Sequence, residues 1–209
     1  MVSNLERNEA ALNGASNGSN SRVRGDLKLS PVAGALFTPH ASRDVPSSRD
    51  LIAVLIDGAN LFYSASSLGI EVDYARLLKT LVGDRRLLRS YFYTGVDPKN
   101  EKQRGFLLWL SRHGYRVISK DLAQVPDGAR RANLHVEIAV DMMRLADHCD
   151  TITLLSGDGH LTYAVDALSY RGVRVELVSL QSMTSDSLIN LADQYTDLAA
   201  LQECICKVR

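Results

Sequence analysis

Residues Thr151 to Val165 read TITLLSGDGHLTYAV. A β-branched and apolar run leads into Ser156, Gly157, Asp158, Gly159 and His160, and an apolar pattern with helical spacing follows. Strand, tight turn and helix therefore succeed one another without a linker. The two glycines explain the turn. They do not explain a carboxylate at the mouth of a buried strand, which makes Asp158 a candidate for chemistry and His160 a candidate for the same task.

The alternation extends in both directions. Upstream, LIAVLI (51–56), LLRSYFY (87–93) and YRVISK (115–120) read as strands, and downstream VRVELVS (173–179) does too. Between them lie helical patterns: 60–68; DYARLLKTLV (73–82), with Asp73 as N-cap; NEKQRGFLLWLSRHG (100–114), closed by Gly114; NLHVEIAVDMMRLADHC (133–149), with Asn133 as cap; and HLTYAVDALSYRG (160–172). SDSLINLADQYTDL (185–198) reads as a closing helix. Near-continuous apolar strands separated by helices predict a five-stranded, mainly parallel sheet covered on both faces, a doubly wound α/β architecture. No internal repeat is visible.

Residues 1–49 are a different material, rich in Asn, Ser, Gly and Ala, with no apolar periodicity. They read as a disordered tail. The expected folded domain spans 50–203, with 204–209 as a short C-terminal tail. Lys+Arg and Asp+Glu balance at 24 each, so no global charge points to nucleic acid. Between Lys99 and Arg131, however, eight bases (Lys99, Lys102, Arg104, Arg112, Arg116, Lys120, Arg130, Arg131) face three acids, Glu101, Asp121 and Asp127. Such a run is a solvated surface or a track for a phosphate backbone. The cysteines (Cys149, Cys204, Cys206) are too few for a disulfide framework. With no membrane-length apolar run and no secretory h-region, a cytoplasmic location without membrane contact is expected.

In open α/β sheets the working site lies beyond the carboxyl ends of the strands, where strand order reverses. Asp57 follows LIAVLI directly and Asp158 follows TITLLS directly. If these strands are neighbours, the two carboxylates come within a few ångströms, an arrangement that calls for a cation between them. Glu137 and Asp141, four apart on an otherwise apolar helix, share a face; alone, that face fits a solvated stripe as well as a buried acidic cluster. Asn60 lies one helical turn beyond Asp57. An oxygen-rich cluster suits Mg²⁺ or Mn²⁺ and phosphodiester hydrolysis. Tyr91, Phe92, Tyr93 and Trp109 are either core or a base-stacking face. No GxxxxGK[ST], GxGxxG or GxSxG motif is present, which removes P-loop, dinucleotide and hydrolase-elbow chemistry.

IDGANL, ANLHVEIAVDMM, SGDGHLTYAV and SMTSDSLINLADQYTDL, in this order, resemble the NYN-domain proteins of the LabA-like group, relatives of PIN-domain ribonucleases. FLLWLSRHGYRVISKDL and SLQSMTSDSLIN narrow the resemblance to cyanobacterial LabA-type members. The resemblance implies a PIN-like three-layer α/β/α fold and a divalent-metal-dependent ribonuclease with a role in regulating gene expression. It implies catalysis by Asp57, Asn60, Glu137, Asp141 and Asp158. Asp57, Asp141 and Asp158 would hold the metal, with RNA on Lys99, Lys102, Arg104, Lys120, Arg130 and Arg131. PIN-like domains often pair, so a homodimer is expected as well. Two positions depart: His135 and His160 stand where the family usually has Asp. Imidazoles there join the ligand set and favour a softer divalent metal, serve as proton shuttles near neutral pH, or mark a weakened site. The alternative is then an RNA- or protein-binding regulatory module of the circadian-output type, with a regulatory protein as partner.

Overall fold

The computed structural model describes residues 51–124 and 130–207. The tail read at 1–49 and Asp127 of the basic run lie outside them. The elements, in chain order, are β1 (Leu51–Asp57), α1 (Gly58–Leu68), α2 (Tyr74–Val82), β2 (Arg86–Val96), α3 (Glu101–Arg112), β3 (Tyr115–Asp121), β4 (Ala123–Gln124), β5 (Arg130–Arg131), α4 (His135–Leu145), β6 (Thr151–Leu155), α5 (Thr162–Ser169), β7 (Arg174–Ser179), α6 (Asp186–Leu191), β8 (Gln194–Asp197) and α7 (Gln202–Ile205).

β1 is the hub of the sheet. Its residues Ile52 to Ile56 are wholly buried because helices cover both faces, which is why LIAVLI shows no polar alternation. Ala53 and Leu55 point toward α4 and α5, packing with Ile138, Met142, Val165 and Leu168. Ile52, Val54 and Ile56 point the other way, toward Leu61 of α1, Leu77 of α2, Leu110 of α3 and Ile205 of α7. Two cores on opposite faces of one sheet make three layers, α/β/α.

Strand order is β3-β2-β1-β6-β7-β8, and every pair is parallel. Winding reverses between β1 and β6, so the switch point falls where Asp57 and the turn after Leu155 emerge side by side; Ile56 pairs with Leu155.

The sheet has six strands rather than five. Leu188, Ala192 and Tyr195 keep helical spacing, but α6 stops at Leu191 and Gln194–Asp197 adds an edge strand to β7. Val175 N–H donates to Asp193 Oδ2 (2.7 Å), and Tyr195 hydroxyl donates to the Ser179 carbonyl (3.0 Å), so the open edge of β7 wins this segment. Residues 204–207 are not a tail either: Ile205 is fully buried, Cys206 bridges Val72, and Lys207 pairs with Glu71. A short antiparallel pair, β4 with β5, stands apart from the sheet and carries Arg130 and Arg131.

Of the two expected caps, Asp73 caps α2, whereas the cap position of α4 is Leu134 and Asn133 lies one residue before it. Asp73 Oδ1 accepts from Ala75 and Arg76 N–H at 3.0 Å each, and Asn133 Oδ1 accepts from His135 N–H at 2.9 Å.

Gly157 shows how closely the turn after β6 is packed. A Cβ there would press into the Met183 carbonyl and lie 3.0 Å from Thr184 Cα, both backbone atoms of the loop before α6. Gly157→Ala should therefore destabilise the domain by about 3 kcal/mol, the upper end of the cost of overpacking. Urea unfolding measures this; an unchanged midpoint would mean the turn has slack.

Candidate metal and nucleic-acid cleft

Asp57 ends β1 and begins α1 in one step. Its Oδ1 accepts from Ala59 and Asn60 N–H, both at 3.1 Å, while Oδ2 accepts from Ser156 hydroxyl at 3.1 Å. Ser156 is completely buried, and its Oγ also accepts from Asp158 N–H at 3.3 Å. One hydroxyl thus ties together the two acids at the switch point. Ser156 escaped the sequence reading; its position before the Gly-Asp-Gly turn was the available signal.

Asp158 lies between two imidazoles. Its Oδ2 is 3.0 Å from His135 Nε2, and its Oδ1 is 2.6 Å from His160 Nδ1. His160 N–H donates to Oδ1 as well, at 2.9 Å. The rings of His135 and His160 stack at 5.3 Å. Partial burial would raise the Asp158 pKa, but the His160 N–H, its ring and the charge of both imidazoles outweigh it and hold the carboxyl below its usual range. His135 reaches this point because it opens α4, whose N-terminus is anchored by Lys120: Nζ pairs with Glu137 (2.7 Å) and donates to the Asn133 carbonyl (3.1 Å).

Among the described residues, the compact group of metal-ligating side chains is His135, Asp158 and His160, whose ligand atoms all lie within 4.8 Å of one another. Asp57, Asn60, His135 and Asp158 line one cavity of about 220 Å³. Asn60 lines this cavity, and its Oδ1 is buried without a hydrogen-bond partner. Two imidazole nitrogens, one carboxylate and an unsatisfied amide oxygen fit a borderline divalent cation that keeps some of its waters.

Glu137 and Asp141 lie apart from that group. Glu137 is engaged by Lys120, which holds its carboxyl below the usual range. Asp141 accepts from Tyr93 hydroxyl at 3.1 Å and from Arg144 at 3.4 Å. Burial, then the Asp141 charge, pushes the Tyr93 hydroxyl far above the ordinary phenol range.

The six basic residues divide by their partners. Lys99 and Lys102 are exposed. Arg104 pairs with Glu101 and Arg130 with Asp97, each at 2.7 Å, and Lys120 braces α4. Arg131 stands beside Arg130 on β5. The aromatic expectation moves: Tyr91, Phe92 and Tyr93 are core, and Trp109 stacks on His113 at 4.0 Å. The exposed rings near the cleft are Phe62 and Tyr63 of α1.

Residues 51–199 match the NYN domain family. The chain is a NYN-domain protein. It is 34% identical over 165 residues to "Low amplitude and bright protein LabA" of Synechococcus elongatus, covering 75% of this chain and 88% of that one. A crystal structure of a protein of unknown function from Vibrio parahaemolyticus superposes with a TM-score of 0.65 at 25% identity, covering 73% of this chain and 94% of that chain. This NYN domain therefore has a PIN-like α/β/α frame around the cleft of Asp57 and Asp158. Among its described residues, no helix is long and apolar enough to cross a membrane.

Ser156→Ala would leave Asp57 Oδ2 and Asp158 N–H short of a buried partner. The expected loss is about 1–3 kcal/mol in urea unfolding, with Mn²⁺ binding weakened roughly 10-fold or more in calorimetry. Equal stability and affinity would remove Ser156 from the site.

Proposed function

We propose that this NYN-domain protein is a divalent-metal-dependent ribonuclease that hydrolyses RNA phosphodiester bonds and acts in regulating gene expression. The observation that carries this reading is the convergence of His135, Asp158 and His160 within 4.8 Å at the switch point of a parallel sheet. Membership of the NYN family supports RNA as the substrate.

His135 Nε2, the Asp158 carboxylate and His160 Nδ1 would hold the cation. A bound divalent cation supplies a more acidic water and neutralises charge on phosphoryl oxygens. Asn60 Oδ1, with no partner of its own, would accept from the attacking water or a ribose hydroxyl. Asp57 shares the cavity with Asp158 and would bring a second carboxylate to the reacting phosphate. Asp141 and Glu137, held by Tyr93 and Lys120, would act as positioning residues that keep α4, and so His135, in place. The two imidazoles tilt metal choice from Mg²⁺ toward Mn²⁺ or a softer ion. Three free cysteines, Cys149, Cys204 and Cys206, are in keeping with work in the cytoplasm. For a second copy of the chain, the exposed Val136, Val140 and Tyr163 offer an apolar face.

One observation favours a second reading. Both Asp158 oxygens already meet a histidine, so this carboxylate is satisfied without an ion, as in a binding module with a weakened site. A cleavage assay separates the two. End-labelled single-stranded RNA should be cut with Mn²⁺ and spared with EDTA. Asp158→Asn should cost more than the roughly 10–100-fold expected for loss of an outer-shell partner. His135→Asp with His160→Asp should shift the preference to Mg²⁺. No cutting by the natural protein, with activity appearing only in the double Asp variant, would establish the binding module instead.

A further inference from the structure

α4 and α5 cover the same face of the sheet, the one opposite α1, α2 and α3. Both start at the cleft: His135 opens α4, and His160 stands two residues before Thr162, where α5 begins. α4 then runs to the far end of the sheet, where Asp150 N–H donates to the Leu51 carbonyl (2.9 Å) at the start of β1. The outer surface of the helix pair therefore leads away from the cleft, and a ligand seated in the cleft leaves it bare.

That surface is apolar where folding gives it no reason to be. Val136, Val140 and Met143 fall four and three residues apart, the spacing of a helix seam that meets another helix. Val136 is 68% and Val140 42% exposed. Tyr163 of α5 and Tyr170 just beyond it stand seven apart on one side, each 85% exposed. Between the two ridges lies a hollow of about 450 Å³ lined by Ala139, Ala164 and Ala167, with Val140, Met143 and Tyr163 as its walls. Protruding rings and an alanine-lined hollow thus share one face, knob beside hole.

Charge decides what covers it. Arg144 and Asp147 complete the rim of the hollow and pair within the chain to Asp141 and Arg171, two groups of each sign. A nucleic acid or an anionic lipid surface calls for a basic excess, which this rim lacks. A surface that meets its own copy across a two-fold axis must supply both charges and both shapes itself, as this one does.

We infer that two copies of the chain pair across a two-fold axis through α4 and α5, each seating Tyr163 in the alanine hollow of the other. The inference specifies the face that binds the second copy named above; it rests on that part of the functional reading and not on RNA cleavage.

Sedimentation velocity of the full chain, from about 1 to about 100 µM, tests it. The natural protein should be dimeric by the top of that range, since a two-helix face falls at the small end of stable interfaces. Val140→Asp with Tyr163→Asp should raise the dissociation constant roughly 10-fold or more, because a lost aromatic anchor is felt twice in a two-fold contact. Its circular dichroism spectrum should stay that of the natural protein. Tyr163→Phe should keep the dimer, the ring being what fills the hollow. Phe62→Asp, on the opposite layer, should keep it too. A natural protein that stays monomeric throughout, a dimer untouched by the double Asp variant, or one lost in Phe62→Asp would overturn the inference. A monomer that cuts RNA with Mn²⁺ overturns the pairing alone, and a dimer that cuts none leaves the pairing standing and counts against the ribonuclease reading alone.

Discussion

Parallel pairing of β1 with β6 is the constraint on which the rest depends. β1 is covered on both faces and hydrogen-bonded on both edges, so the chain can leave it only at the ends. Helices on its two sides wind in opposite senses, and a cleft opens where they part. Asp57 and the Ser156–Asp158 turn emerge into that cleft because Ile56 and Leu155 are partners in the ladder. Ser156, fully buried, then joins the two emerging segments through one hydroxyl. Its energetic weight lies in what its removal would leave unsatisfied more than in the bonds themselves.

The remaining parts of the site arrive from elsewhere in the chain and must be held there. α4 brings His135 to Asp158, and the Lys120 link to Glu137 and the Asn133 carbonyl fixes the start of that helix. Asp141 accepting from a buried tyrosine fixes its middle. The loop before α6 closes over Gly157 so tightly that no side chain fits. A carboxylate between two imidazoles is the product of all three anchors. Its chemistry is double-edged: the histidines that can ligate a cation also satisfy Asp158 when none is bound.

Much of this was legible beforehand. Five of the six strands, the capping role of Asp73, and the emergence of Asp57 and Asp158 side by side follow from apolar runs and turn residues, which act over a few positions. β8 was not legible, since its four residues carry helical spacing and become a strand only against the open edge of β7. Nor was α7, anchored by the single buried Ile205. The partners of Lys120, Arg104 and Arg130 were also out of reach, because charge counts do not say which base meets which acid.

By itself, the sequence determined the fold class, the strand and helix succession and the identity of the switch-point acids, because burial on both faces of a parallel strand imposes a continuous apolar run whatever surrounds it. Only the tertiary structure decided which titratable groups meet. It gathered His135 and His160 on Asp158, gave Glu137 to Lys120 and Asp141 to Tyr93, and turned Phe62 and Tyr63 outward beside the cleft. Those meetings depend on distances of a few ångströms between segments far apart in the chain, set by how α1 and α4 pack on the sheet. Residue spacing carries no record of that packing.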